Sequence, residues 1–164
     1  MKSLATLPAE ERALYWRICS QRKGVPAFIV EKDFWVCWLL GRIFSTPSLG
    51  DNCVFKGGTS LSKVFGAINR FSEDIDLGLS PASLGWKEAD LDEAPSAEQR
   101  RKRVKQLEAD CAKTAKNRFL PELEKVVASR LEKRRGGPWL SFELEAATRY
   151  PVILFAYPQA AERG

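Results

Sequence analysis

Two periods of apolar and polar positions divide the chain. Over 26–44 the residues Phe34, Trp35, Trp38, Leu39 and Phe44 recur at helical spacing, which predicts a mostly buried helix. Its aromatic stripe reads as core, because each ring buries a large area. An earlier helix over 8–23 is predicted from its end signals. Pro8 sits in its first turn, Glu10 and Glu11 suit the positive end, Arg22 and Lys23 suit the negative end, and Gly24 stops it. The stretch STPSLGDN, 45–52, then breaks the pattern. Cys53–Phe55 reads as a short strand running into Gly57-Gly58. A helix over 60–67 follows, with Leu61, Val64 and Phe65 on one side. In Asp74–Leu79 the period becomes two: Ile75, Leu77 and Leu79 share one face, Asp74 and Asp76 the other.

Residues 81–97 are acidic and turn-like. A basic helical region over 97–135 comes next, with a break predicted at Pro121 and an end at Gly136-Gly137-Pro138. Two strands follow within 139–157. Trp139–Leu144 alternates, with Leu140, Phe142 and Leu144 opposite Glu143 and Glu145, and Pro151–Tyr157 is a continuous apolar run that suits a buried strand. No internal repeat is visible. The organisation expected is one α/β (α+β) domain over 1–164, with N-terminal helices at 8–45, a core at 52–80, and a small mixed sheet with flanking helices.

Composition narrows the chemistry. Of 164 residues, 45% are hydrophobic, with five Trp and nine Phe, enough for a true core. There is no histidine. Cys/His zinc sites, histidine general bases and Ser-His-Asp triads are thereby excluded. Cys19, Cys37, Cys53 and Cys111 are widely spaced and read as reduced, buried thiols. The N-terminus turns acidic where a signal peptide needs an apolar run, and the longest apolar run, Phe34–Leu40, is too short to span a bilayer. A soluble, cytoplasmic protein without a membrane partner is expected. The net charge of +5 fits nucleotide or nucleic-acid partners, and other partners too.

The candidate chemistry lies in VFKGGTSLSKVFGAINRFSEDIDLGLS, residues 54–80. Gly57-Gly58 sits between a strand and a helix, where free backbone N–H groups receive anions; Thr59 and Ser60 add hydroxyls. A tight turn without a ligand is the alternative. No Gly-Lys-Ser/Thr closes the stretch, so it is not a Walker A loop. Ser60-Leu61-Ser62-Lys63 matches the acyl-serine Ser-x-x-Lys pattern, but its companion motifs are absent. Asp74 and Asp76 lie two apart on a strand and so project from one face within a few ångströms of each other. Carboxylates that close repel each other, and a divalent cation, Mg²⁺ or Mn²⁺, resolves the repulsion while taking substrate phosphates as further ligands. Pairing with Lys or Arg on an exposed face is the alternative.

Glycine turn, helix and Asp-x-Asp strand together resemble the polymerase-β-like nucleotidyltransferase superfamily. More closely, Phe55–Lys63 (FKGGTSLSK) and Arg70–Leu77 (RFSEDIDL), with Glu31–Trp35 (EKDFW) upstream, resemble the AbiEii toxin family. The resemblance implies a nucleotidyltransferase fold and a nucleotidyltransferase toxin of type IV toxin–antitoxin and abortive-infection systems. It implies NTP as substrate, Mg²⁺ as cofactor, a tRNA or other RNA as acceptor in some members, and a cognate antitoxin protein. Carried over by position, Gly57, Gly58, Thr59 and Ser60 hold the triphosphate and Asp74 and Asp76 the metal. Lys63 and Arg70 neutralise phosphate, and Ser72 lines the same pocket. For Arg70 a plain surface charge, and for Ser72 a strand-start cap, are equal alternatives.

The resemblance also implies a third carboxylate on a strand beyond Tyr157-Pro158 and a further C-terminal part, neither of which falls within these residues. Glu143 or Glu145 is a less favoured source of that acid. The expected function is nucleotidyl transfer to an RNA or protein hydroxyl. The alternative is a truncated domain that binds nucleotide or a partner, with self-association through exposed strand edges. A third possibility is a basic RNA-binding module centred on Arg100–Lys105.

Overall fold

Helix α1, Ala9–Lys23, begins just after Pro8, which occupies the N-cap position rather than the first turn. Glu10 and Glu11 lie in its first turn and Arg22 and Lys23 in its last, matching the helix dipole. Gly24 ends it in the left-handed region, at φ 67°. These features come from a computed structural model, which describes residues 3–58, 60, 74–87, 96–131, 134 and 136–161.

Helix α2, Ala27–Phe44, buries Glu31, Trp35, Val36, Leu39 and Ile43. Phe44, expected in the buried stripe, is 45% exposed, and Ile43 takes the inward place. The helical period explains the difference: Ile43 lies one turn beyond Leu39, whereas Phe44 has rotated outward, against Phe55 at 6.4 Å between ring centroids. The expected irregular break contains one helical turn, α3 (Pro47–Gly50), which buries Leu49.

Strands β1 (Cys53–Lys56) and β2 (Asp76–Leu79) pair antiparallel, with Cys53 opposite Leu79 and Lys56 opposite Asp76. Ile75, Leu77 and Leu79 pack on the core while Asp74 and Asp76 are exposed, as the alternation predicts. A short 3-10 turn, Pro81–Leu84, leads out of β2.

Helix α4, Ala97–Thr114, starts where the Ser96 hydroxyl accepts the Gln99 N–H at 3.2 Å. It continues through a π-helical turn, Ala115–Phe119, into α5, Leu120–Ala128. The predicted break at Pro121 is therefore an absorbed one. Proline offers no N–H and its ring excludes the carbonyl four residues back, so the ladder widens for one turn instead of ending. The regular helix stops at Ala128, earlier than the sequence suggests.

Strands β3 (Leu140–Leu144) and β4 (Pro151–Phe155) form a second antiparallel pair, with Phe142 opposite Ile153. Glu124 of α5 fixes where β3 begins. Its two carboxylate oxygens accept the N–H groups of Trp139, at 3.0 Å, and Leu140, at 2.8 Å. The continuous apolar run of β4 is buried on one face only, for Leu154 is 46% exposed. A two-stranded ladder covers a single face.

One core joins these parts. Trp35, Leu39, Ile43, Leu49 and Cys53 meet Phe119, Leu123, Val127, Trp139 and Leu140. Full burial of a side chain such as Leu123 or Val127 contributes roughly 1.5–3 kcal/mol. The end of β4 and the segment after it dock on α2: Phe155 stacks on Trp38 at 6.0 Å, and Tyr157 stacks on Trp35 at 5.7 Å. Beneath it lies a buried polar latch. Glu31, 1% exposed, accepts the N–H groups of Ala160, at 2.7 Å, and Ala161, at 2.9 Å. Arg12 donates to the carbonyls of Leu7 and Pro158. Burial lowers the Arg12 pKa, and the nearby Glu31 charge opposes that effect.

Candidate functional site

The outward face of the β1–β2 ladder carries Val54, Lys56, Asp76 and Gly78, with Asp74 just before β2. Its inward face is apolar and closes a crevice of about 150 Å³ lined by Leu39, Ile43, Ile75, Leu77, Phe119 and Cys111. Burial there raises the Cys111 thiol pKa, as burial does at Cys53. Packing on one side thus sets the register that exposes the carboxylates on the other.

At the end of β1 the chain turns through Gly57, whose φ is 71°. The residues described beyond it, 57, 58 and 60, are helical. Two independent reasons require glycine at 57. L-residues adopt that φ at a cost, and the Asp76 carboxylate occupies the space a side chain would need: its Cγ lies 2.8 Å from where a Cβ would stand. Asp76 is therefore held against the glycine turn. Ser60 is buried, and its hydroxyl donates to the Gly57 carbonyl at 2.8 Å. Its proton is committed to closing the turn.

The structure thus brings together Gly57, Ser60 and Asp76, with Gly58 next in the chain and exposed Asp74 two residues before Asp76. Thr59, Lys63, Arg70 and Ser72, and the helix expected over 60–67 beyond residue 60, lie outside the described residues. Among the described residues, Asp76 has no hydrogen-bond or ion-pair partner, and no third acid, cysteine or histidine joins the two aspartates. Glu143 belongs to the other ladder, and Glu145, just past the end of β3, accepts the Thr148 hydroxyl. Asp76, an exposed hard oxygen donor seated against Gly57, with exposed Asp74 two residues before it, fits a Mg²⁺ ion, which takes one or two carboxylates and completes its shell with water and phosphate.

Sequence reasoning missed Lys56, Glu31 and Glu124. The first stood inside the quoted motif, immediately before the glycines. Glu31 also stood in a quoted motif, but nothing in a pattern of letters marks a carboxylate that is spent on two backbone N–H groups. Glu124 carried no signal.

The basic helix α4 is exposed along Arg100, Arg101, Lys102 and Lys105. Lys102 pairs with Glu98 at 2.9 Å, one turn earlier. Asp110 accepts the Trp86 indole N–H at 3.0 Å, which ties this helix to the segment leaving β2. A cavity of about 670 Å³ is lined by Glu124, Arg134, Gly137 and Trp139 and by none of the described predicted site residues. Cys37 is exposed and only Cys53 is fully buried, which corrects the expectation of buried thiols throughout. No helix among the described residues is long and apolar enough to cross a membrane.

No curated protein and no solved structure matches the chain. The family model for the nucleotidyl transferase AbiEii toxin of the type IV toxin–antitoxin system matches residues 38–164, which take in the glycine turn, both aspartates and everything after them. The match covers most of the chain, and the mixed α/β architecture with small antiparallel sheets agrees with it. The chain belongs to the AbiEii nucleotidyl transferase toxin family, a membership that implies a nucleotidyltransferase fold and an antitoxin partner.

Proposed function

We propose that the protein transfers a nucleotide from an NTP to a hydroxyl on RNA, tRNA-like in the first instance, and does so as a cytoplasmic toxin restrained by its antitoxin. The observation that carries this reading is the placement of Asp76 against Gly57, which seats a carboxylate without an ion-pair partner among the described residues on the glycine turn. In this reading Asp74 and Asp76 hold Mg²⁺ or Mn²⁺. The ion supplies charge neutralisation at the triphosphate and a lowered pKa for an attacking hydroxyl. Gly57, Gly58 and Thr59 bind the phosphates through N–H and O–H donors, and Ser60 keeps the turn closed. Lys63 and Arg70 add positive charge, and Ser72 completes the pocket wall. Helix α4 offers Arg100, Arg101, Lys102 and Lys105 to the phosphates of the acceptor. Exposed Val54, Tyr150 and Leu154 support self-association.

A second reading, nucleotide binding without turnover, is favoured by one observation: among the described residues no third acid joins the pair. Binding and transition-state stabilisation are separable, so a two-carboxylate site can hold the substrate and still turn over slowly. Incubation with each α-labelled NTP, Mg²⁺ and total small RNA tests the choice. Label on RNA that disappears in Asp76→Asn supports the transferase. Nucleotide binding without transfer supports the second reading. Label that persists in Asp76→Asn refutes the assignment of the site.

A further inference from the structure

Lys56 and Asp76 face each other directly across the β1–β2 ladder, on its outward side. Opposite charges in such positions ordinarily pair. Here they turn apart. The Asp76 carboxylate leans over Gly57, and the Lys56 side chain leans the other way, across Gly78. A Cβ at residue 78 would stand 2.5 Å from Lys56 Cε and 2.7 Å from its Nζ. Each of the two glycines makes room for one of the two charges. Among the described residues neither Lys56 nor Asp76 has an ion-pair partner. A β-strand interior is a costly place for glycine, which has no side chain to pack there. Clearance for Lys56 explains why residue 78 carries none.

From this we infer that Lys56 binds the acceptor RNA, by a contact from its ammonium to a backbone phosphate next to the reacting hydroxyl. The inference rests on the reading of the Asp74–Asp76 face as a metal–nucleotide site. The direction of the side chain decides which substrate it meets. The glycine turn, with its phosphate-binding N–H groups, lies on one side of Asp76, and the Lys56 ammonium lies on the other. In an in-line displacement the leaving pyrophosphate and the attacking hydroxyl occupy opposite sides of the reacting phosphorus. If the turn holds the leaving side, Lys56 stands on the attacking side. The ladder end toward which it leans is also the end where the chain passes through Pro81–Leu84 to Trp86, which is hydrogen-bonded to the basic helix. An RNA acceptor accounts for positive charge in both places, and an acceptor without phosphates accounts for neither.

The test uses the full chain and two probes: a fluorescein-labelled single-stranded RNA of about 20 nucleotides, read by anisotropy, and a fluorescent NTP analogue with Mg²⁺. Lys56→Met is expected to weaken RNA binding about tenfold, as removal of one charge-assisted hydrogen bond does. It should lower the slope of log affinity against log salt by about 0.7, the value for one phosphate on a single strand. Nucleotide affinity should change less than about twofold, well under the effect of removing a direct ligand. Gly78→Ala should reproduce the RNA defect at little cost in stability, because the displaced atoms are the flexible tip of a lysine. Thermal melting of both variants verifies that they are folded.

Three results overturn the inference: RNA affinity and salt slope that do not change in folded Lys56→Met, a loss of nucleotide rather than RNA affinity, or wild-type protein that holds no RNA. The last result would point to a protein acceptor. Failure of the underlying site reading has a separate signature, which is Mg²⁺-dependent nucleotide binding that survives Asp76→Asn.

Discussion

Replacing Gly57 by alanine perturbs two things, and a second glycine separates them. Residue 57 has φ 71°, and the new Cβ would meet the Asp76 carboxylate, whose Cγ lies only 2.8 Å away. Gly24 has nearly the same φ, 67°, with nothing within 4 Å of a Cβ. Gly24→Ala therefore reports backbone strain alone, about 1 kcal/mol. In a chain of this length that lowers Tm by about 2–4 °C. Gly57→Ala carries the same strain and also drives Asp76 off its rotamer, which costs about 0.5–1.5 kcal/mol more. The difference in stability between the variants is thus small. The difference in binding should be large, because the carboxylate leaves the position from which it would hold a metal-bound nucleotide. Removing a charged interaction of that kind weakens binding about ten- to a hundredfold. Thermal melting followed by tryptophan fluorescence, with titration of a fluorescent NTP analogue in Mg²⁺, reads both quantities. Equal Tm losses in the two variants, together with undiminished nucleotide binding in Gly57→Ala, would refute the argument that Asp76 is seated on Gly57 for function.

Four further outcomes are expected. Glu31→Gln sets an NH₂ group against a backbone N–H and removes the charge opposing Arg12, so urea unfolding should show a loss of about 2–4 kcal/mol; a loss below about 1 kcal/mol would contradict the latch. Burial raises the thiols of Cys53 and Cys111, so their contribution to stability is present below the ordinary thiol range and is lost as pH rises through their raised values. Stability measured above about pH 8.5 should fall, and should fall less in the double variant Cys53→Ala, Cys111→Ala; equal losses would contradict this sign. At pH 8 a thiol reagent should modify exposed Cys37 well before Cys53. Neutralising Arg100, Arg101, Lys102 and Lys105 together should weaken RNA binding and flatten its salt dependence by about 0.7 for each phosphate no longer neutralised, while leaving nucleotide binding intact.

Much of the fold was legible because local signals and burial agreed. The ends of α1 followed from charge placement and Gly24, and the face assignment of β2 followed from strict alternation around Ile75, Leu77 and Leu79. Phe44 was misplaced because a stripe drawn through aromatic residues ignored Ile43, whose angular position is the inward one. The π-helical turn was illegible because Pro121 announces a disturbance without saying how the helix will absorb it. β4 was read as buried on both faces since an apolar run carries no count of the strands beside it. At the site, the motif gave the glycines and the aspartates. It could not give their contact, nor the outward lean of Lys56, because both depend on register across a ladder whose strands are far apart in the chain. Glu31 and Glu124 were invisible as structural acids for a similar reason: their partners are backbone N–H groups, which every sequence offers everywhere.

The central claim is that Asp74, Asp76 and the glycine turn form one site for a metal-bound nucleotide. Calorimetric titration of a non-hydrolysable NTP analogue tests it most directly, in Mg²⁺ and in chelator, on the wild-type chain and on Asp76→Asn. Saturable binding that requires the metal and is lost in Asp76→Asn is the predicted result. Binding that is indifferent to both metal and substitution, or no binding by the folded wild-type protein at millimolar nucleotide, would contradict it.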